Sequence, residues 1–173
     1  MRPILRRVLL ALAEVFPARE RRTEVVPHEH ALCPMGRRAF LFLEVMDLDI
    51  RDEASRIHDC GFNCAQSVLC SCGKYTGLDE SLAAAIGAGF GGGVRSGEIC
   101  GAIAGAVMAL GLISANDASG EKRSISALSR ECVDSFRREY GCVRCLELKK
   151  AGVSCDELIR KGAQFVEAVA INK

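Results

Sequence analysis

The chain has 173 residues, a formal net charge of +1 and an apolar fraction of 49%, values that predict a soluble globular protein of one domain. The near-neutral charge gives no argument for a nucleic-acid partner, and the absence of tryptophan argues against base stacking. The ten cysteines are the unusual count. A chain this long can build a core without disulfides, and it has no convincing secretory signal. We therefore expect a cytoplasmic protein whose cysteines are free thiols with a redox or metal-binding function.

The amino-terminal residues 1–45 differ from the rest, with eight arginines, no lysine and one short amphipathic run. The segment Phe16-Pro17-Ala18-Arg19 lacks the cleavage site of a signal peptide. We expect a poorly ordered extension over 1–45 and a cysteine-rich helical redox domain over 46–173. If translation starts at Met46, the extension is not part of the native protein. Three side chains of metal-binding type are expected to be ordinary tail residues: His28, His30 and Cys33.

Three polar residues are candidate N-caps for the first helices of this domain: Asp49, Asn63 and Asp79. The first helix is expected to end near Gly61, and the second to run through Tyr75 and end at Gly77. The third is short and leads into a glycine-rich stretch. The apolar face predicted for the second helix consists of Ala65, Val68, Leu69 and Cys72.

Helical patterns also fill the carboxyl-terminal part of the chain. A loop is predicted over 116–120, a helix over 121–140 and a short helix over 145–150. Ser154 and Glu157 form a capping box that begins the last helix. The predicted stripe of the 121–140 helix consists of Ile125, Leu128, Cys132 and Phe136. The last helix has as its core face Leu158, Ile159, Phe165, Val166 and Val169. No alternating strand pattern occurs, so the predicted fold is all-α, a compact multi-helix bundle.

The most unusual stretch is 87–112, which contains nine glycines around a single cysteine, Cys100, and is followed by no charge until Asp117. We expect a tight glycine turn and then a buried Gly/Ala-rich central helix from about Glu98. Three glycines are expected on one face, for close backbone approach: Gly97, Gly101 and Gly105. Another helix, a cofactor or a second subunit can approach that face, and Gly101→Val is expected to damage folding or the site.

Two other functions of this stretch are less favoured. Gly87, Gly89 and Gly92 spell GxGxxG, but a dinucleotide site also needs a preceding strand and an acidic residue about 20 positions later. Neither is found, so no nucleotide cofactor is expected. The uncharged run over 99–115 is shorter than the roughly 20 residues of a membrane span. A helix buried within the protein is the preferred interpretation.

Four cysteines fall at the starts of predicted helices: Cys64, Cys100, Cys145 and Cys155. Unpaired backbone N–H groups and the helix dipole favour an anion there, which lowers the pKa of a thiol and makes it a better nucleophile or metal ligand. We therefore expect the four helix ends to converge on one anionic site.

The remaining cysteines of the domain have simpler interpretations. Cys72 and Cys132 lie on apolar stripes and are expected in the core, whereas Cys70 is expected at the surface. Cys142 forms a CxxC motif with Cys145. Without a second motif of that kind, this is a weak signal for zinc.

Several motifs of this chain resemble those of a known family. They are NCAQSVL from Asn63, GFGGGVRSGEICGAIAGAVMALGL around Cys100, CLEL from Cys145, and a final cysteine, Cys155. The similarity is to the redox-active protein family (C_GCAxxG_C_C) that is named for its C, CGAxxG, C, C pattern. It extends over about 47–169 and does not include the first 45 residues.

The resemblance implies that the defining cysteines of the family correspond to the four at the helix starts. Gly101, Ala102 and Gly105 match the rest of the central motif. Four cysteines are additional to the pattern: Cys60, Cys70, Cys72 and Cys142. Whether Cys142 replaces or assists Cys145, as a thiol or as a metal ligand, is left open.

Three functions remain open for the four cysteines. The first is electron transfer through an iron–sulfur cluster or another thiolate-bound metal, although spacings of 36, 45 and 10 residues resemble no ferredoxin. The second is thiol/disulfide exchange without metal, with an unknown redox partner protein. The third is a structural zinc site or a helical interaction module without a redox role. The small-residue face is also compatible with a homodimer.

Overall fold

The computed structural model describes residues 49–115 and 125–172, and these form eight α-helices and no β-strand. The predicted all-α fold is therefore confirmed. The helices are α1 (Ile50–Asp59), α2 (Cys64–Ser71), α3 (Gly73–Thr76), α4 (Glu80–Gly87), α5 (Gly101–Ala115), α6 (Ile125–Tyr140), α7 (Cys145–Lys150) and α8 (Cys155–Ile171). Several predictions lie outside the described residues: the extension 1–45 with its His28, His30 and Cys33, the start at Met46, the loop 116–120 and the first turn of the 121–140 helix.

Polar caps begin the helices where the sequence predicted them. The predicted N-cap side chains that accept backbone N–H groups are Asp49, Asn63, Asp79 and Ser154. The predicted second helix is divided into α2 and α3, because Cys72 takes a ψ of 4° directly before Gly73, a poor helix former. Gly77, with φ of +67°, ends α3 as predicted.

The central helix α5 organises the fold. It packs against α2, α6 and α8, and no residue of it before Ala115 is exposed. The prediction of a helix buried on all sides is met only in part, because one face of α5 is half-buried: Ala104, Val107, Met108, Gly111 and Leu112. Within 49–115 and 125–172, no helix combines the length and apolarity needed to cross a membrane.

The helix α5 begins later than expected, at Gly101 rather than near Glu98. The preceding backbone is not helical, since Gly97 has a φ of +80° and Ile99 pairs with Arg144 in an isolated antiparallel bridge. Gly97 therefore lies outside α5, and a Cβ on it would be 3.0 Å from the Cβ of Leu146.

Glycines on α5 allow α2 to approach at backbone distance. A Cβ at Gly105 would lie 2.6 Å from the carbonyl oxygen of Ala65. A Cβ at Gly101 would lie 2.9 Å from the carbonyl oxygen of Phe90 and 3.3 Å from the Cβ of Cys64. The distances of 2.6 and 2.9 Å are too short for the added atom to fit unless its neighbours move.

The predicted apolar stripes are largely buried. All four residues of the predicted α2 face lie in the core. On α6 the buried residues begin at Leu128, and Ile125, which the pattern placed on the stripe, is 40% exposed. On α8, Phe165 and Val169 are only partly buried, and Gly162 and Ala163 complete the core face.

We expect Gly105→Ala to lower the free energy of unfolding by about 1–3 kcal/mol, because its Cβ meets the backbone of α2 and not a flexible side chain. Gly111→Ala is the matched control, since a Cβ at this position of the same helix meets nothing within 4 Å. That variant is expected to be neutral or more stable by up to about 1 kcal/mol. Urea denaturation measures both values, and equal effects of the two substitutions would contradict the close packing.

Candidate functional site

The four candidate cysteines all lie at helix amino termini. Cys64, Cys145 and Cys155 are the first residues of α2, α7 and α8. Cys100 directly precedes α5 and acts as its cap: its carbonyl accepts the Ala104 N–H at 3.0 Å. The predicted placement is thus confirmed, with Cys100 one position before the first turn and not within it. All four are free thiols.

Tertiary packing brings these thiols together. The Cys155 and Cys100 thiols lie close enough to Cys64 to raise the pKa of its thiol. Cys100 in turn lies within electrostatic range of Cys145 and Cys155. Cys100 therefore lies within electrostatic range of the other three candidate cysteines, and the convergence of all four helix ends on one site stays a prediction.

The isolated bridge places Cys145 beside Cys100. The Cys100 N–H donates to the Val143 carbonyl at 2.9 Å, and the Cys145 N–H donates to the Glu98 carbonyl at 2.6 Å. These bonds flank the paired residues Ile99 and Arg144, so the two cysteines are diagonal neighbours on the same face of the bridge. Such neighbours are about 7–8 Å apart, and a disulfide between them would require the backbone to move.

Asn63 connects the start of α2 to the glycine-rich stretch. Its Oδ1 accepts the N–H groups of Ala65 and Gln66, while its Nδ2 donates to the carbonyls of Gly87 and Ala88 at 3.3 and 3.1 Å. The sequence predicted the cap but not this second pair of bonds. The sequence signal for these bonds was the side-chain amide of Asn63, because an amide can donate hydrogen bonds while it also accepts them.

Burial controls the protonation of two of the thiols. Burial raises the pKa of Cys64, and the neighbouring Cys155 and Cys100 raise it further. Burial raises the pKa of Cys100 to about 11, although the N–H groups of Ala102 and Ile103 bond to its sulfur and oppose this shift. The expectation of anionic thiols was wrong for Cys64 and Cys100, because the cost of desolvation exceeds the effect of the helix terminus.

Exposure separates the four thiols. Cys100, Cys145 and Cys64 are buried, with 1%, 6% and 7% of their surface exposed, whereas Cys155 is partly exposed. A reagent in solution therefore meets Cys155 first.

The other cysteines largely follow their predictions. Cys72 and Cys132 are fully buried, as expected. Cys70, which was expected at the surface, is partly exposed, and its thiol donates to the Glu80 carbonyl of α4 at 3.8 Å. Cys142 is a partly buried free thiol in the connection between α6 and α7.

The described part of the chain contains no group of three or more His, Cys, Asp or Glu side chains placed to hold a metal ion. In the arrangement seen, the four thiols therefore do not fit a metal or an iron–sulfur centre. The predicted close approach at Gly101 and Gly105 is made by α2, and that at Gly97 by Leu146 of α7. A role of these glycines toward a cofactor stays a prediction.

Comparison with known families gives one match, over residues 62–169, to the family described as "Putative redox-active protein (C_GCAxxG_C_C)". The matched range is more than half of the chain and contains all four clustered cysteines. The chain has Cys100-Gly101-Ala102 where the family name writes GCA. No curated protein and no solved structure matched the chain.

We expect the free energy of unfolding to fall as the pH rises above about 9, the ordinary pKa of a thiol. The unfolded chain loses thiol protons there, whereas the folded state holds Cys100 protonated to about pH 11 and the core thiol Cys72 to about pH 12, in both cases because of burial. The unfolded state then binds fewer protons than the folded state, so each such thiol lowers stability by about 1.4 kcal/mol per pH unit.

Urea denaturation under reducing conditions, from about pH 7 to about pH 10.5, measures this slope. Cys72→Ala removes one of these thiols without touching the site, and it should give a shallower slope whatever its effect at neutral pH. Identical slopes for the two proteins would contradict the raised pKa of Cys72.

Proposed function

The chain belongs to the C_GCAxxG_C_C family of redox-active proteins, and we propose that it carries out thiol/disulfide exchange with Cys155 and Cys64 as the reacting pair. Cys155 is the attacking thiol, and Cys64 is the resolving thiol. The observation that carries this proposal is the proximity of the two thiols where α8 and α2 begin, since Cys155 raises the pKa of Cys64.

The difference in exposure supports this division of roles. Cys155 is partly exposed, so the disulfide of a partner protein can reach it. Cys64 is buried behind it, and its raised pKa keeps it a protonated thiol at neutral pH. A protonated resolving thiol does not compete for the substrate, and it is in place once the mixed disulfide has formed on Cys155.

The exchange balances in two steps. The Cys155 thiolate attacks one sulfur of the substrate disulfide, a mixed disulfide forms, and the other substrate sulfur leaves as a thiolate that takes up a proton. Cys64 then loses its proton and attacks the Cys155 sulfur, which releases the second substrate thiol. The protein gains a Cys64–Cys155 disulfide, and the substrate gains two electrons and two protons.

Cys100 has a supporting part in this proposal. Cys100 lies within electrostatic range of both reacting thiols. A neutral thiol at Cys100, which its raised pKa ensures, avoids a further negative charge while Cys155 is a thiolate. The exchange also needs thiols that the surroundings keep reduced, so we place the protein in the cytoplasm.

Electron transfer through an iron–sulfur cluster is the second candidate. The electrostatic proximity of Cys100 to the other three thiols favours it, since four is the usual number of cysteine ligands. The donor arrangement described above does not fit a metal, and we derive no step through one.

Disulfide mapping after mild oxidation tests the proposal. We expect the metal-free protein to lose two thiols reversibly, and mass spectrometry to identify one new bond, between Cys64 and Cys155. Cys64→Ser should accumulate a mixed disulfide with a thiol reagent on Cys155, because the resolving thiol is gone. Cys155→Ser should form neither product, and Cys70→Ser, which lies away from the cluster, should behave as the unmodified protein.

Two results would overturn the proposal. One is an oxidised protein in which neither Cys64 nor Cys155 is bonded. The other is stoichiometric iron, with visible absorption that Cys100→Ser abolishes, in protein purified without oxygen. The second result would establish the cluster instead.

A further inference from the structure

The segment that precedes α5 contains an unusual backbone. Gly92, Gly93, Val94 and Arg95 all have positive φ, at 62°, 68°, 55° and 57°, and these residues are called here the left-handed turn. Two of the four are not glycine, and a β-branched residue such as Val94 is a rare occupant of this region. The conformation is therefore strained at Val94 and Arg95.

The strain has no compensating burial at these two side chains. Val94 is 44% exposed, and Arg95 is exposed with one hydrogen bond, from its guanidinium to the Ala88 carbonyl at 3.3 Å. The turn itself is closed by bonds to Gly93 O, from the Glu98 N–H at 3.1 Å and from the Ser96 hydroxyl at 3.0 Å. A strained segment held by a few bonds near the surface opens at low cost in free energy.

The left-handed turn lies directly on one thiol of the cluster. Gly93 is buried, and a Cβ on it would lie 2.7 Å from the Cβ of Cys145 and 2.7 Å from the backbone nitrogen of Glu98. The backbone of Gly93 therefore covers the Cys145 side chain, which is only 6% exposed. Gly92, the preceding residue, is exposed, and a Cβ on it would meet nothing within 4 Å.

We propose that the left-handed turn is a gate over Cys145. In the closed state, which is the one seen here, the turn excludes reagents from this thiol. In the open state Val94 and Arg95 relax to negative φ, Gly93 moves away and Cys145 becomes accessible. A regulatory role of the gate rests on the exchange function proposed above. The existence of the gate is tested by the accessibility of Cys145 alone, and this test needs no exchange reaction.

The test is the rate at which N-ethylmaleimide alkylates Cys145 in the fully reduced, full-length protein, followed by mass spectrometry of the peptide that contains it. Gly93→Ala introduces a Cβ that clashes with both the Cys145 side chain and the Glu98 backbone, so the gate cannot close and alkylation should accelerate at least tenfold. Gly92→Ala is the matched control: it places the same side chain at the same sign of φ but meets no neighbour. Its rate should stay within about threefold of the unmodified protein.

The double variant Val94→Gly with Arg95→Gly tests the gate in the opposite direction. Glycine adopts positive φ readily, so the closed state gains stability and alkylation of Cys145 should slow at least threefold. The partly exposed Cys155 is the internal reference and should keep its rate. Protection of the core thiols Cys72 and Cys132 shows that each variant is folded.

Three results would overturn the gate. They are an unchanged Cys145 rate in folded Gly93→Ala, equal acceleration by Gly92→Ala, and an unchanged or faster rate in the double glycine variant. If Gly93→Ala exposes Cys72 and Cys132 through unfolding, the double variant decides alone. The exchange proposal is judged separately by the Cys64–Cys155 bond, so either proposal can fail while the other stands.

Discussion

The contact between α5 and α2 is the constraint on which the rest of the structure depends. Its closest point is Gly105 against the backbone of Ala65, where no side chain fits. One turn earlier, Gly101 lies against Cys64, so the same contact sets Cys64 beside Cys100. The small residues of α5 thus serve two purposes at once: they let the core close, and they bring two helix ends and their thiols together.

The consequence of this packing is that desolvation dominates the chemistry of the cluster. A helix terminus favours a thiolate. For a buried thiol, however, the free-energy cost of desolvating the thiolate exceeds the stabilisation from the N–H groups, as the raised pKa of Cys100 shows. The cluster therefore contains two buried thiols with raised pKa values, Cys64 and Cys100, together with one partly exposed cysteine, Cys155. Such an arrangement suits a sequential reaction that starts at the surface and finishes inside.

The glycine-rich stretch before α5 has a separate structural role. Asn63 holds its first part to the start of α2 through the carbonyls of Gly87 and Ala88. Its last part pairs with the segment before α7, which places Cys145 beside Cys100. Between these two attachments the backbone turns left-handed over Cys145. Glycine is needed at Gly93 both for its φ and for the missing side chain.

The sequence by itself determined the local features: the helices, their caps at Asn63 and Ser154, the positions of the four cysteines at helix starts and the small-residue face of α5. Each depends on neighbours within a few residues, which a sequence pattern contains. Only the tertiary structure decided that Cys64 lies near Cys155, that Gly97 lies outside α5 and that Cys100 is too buried to ionise at neutral pH. These outcomes depend on contacts between distant segments and on the water that those contacts exclude, and neither has a local signal in the sequence.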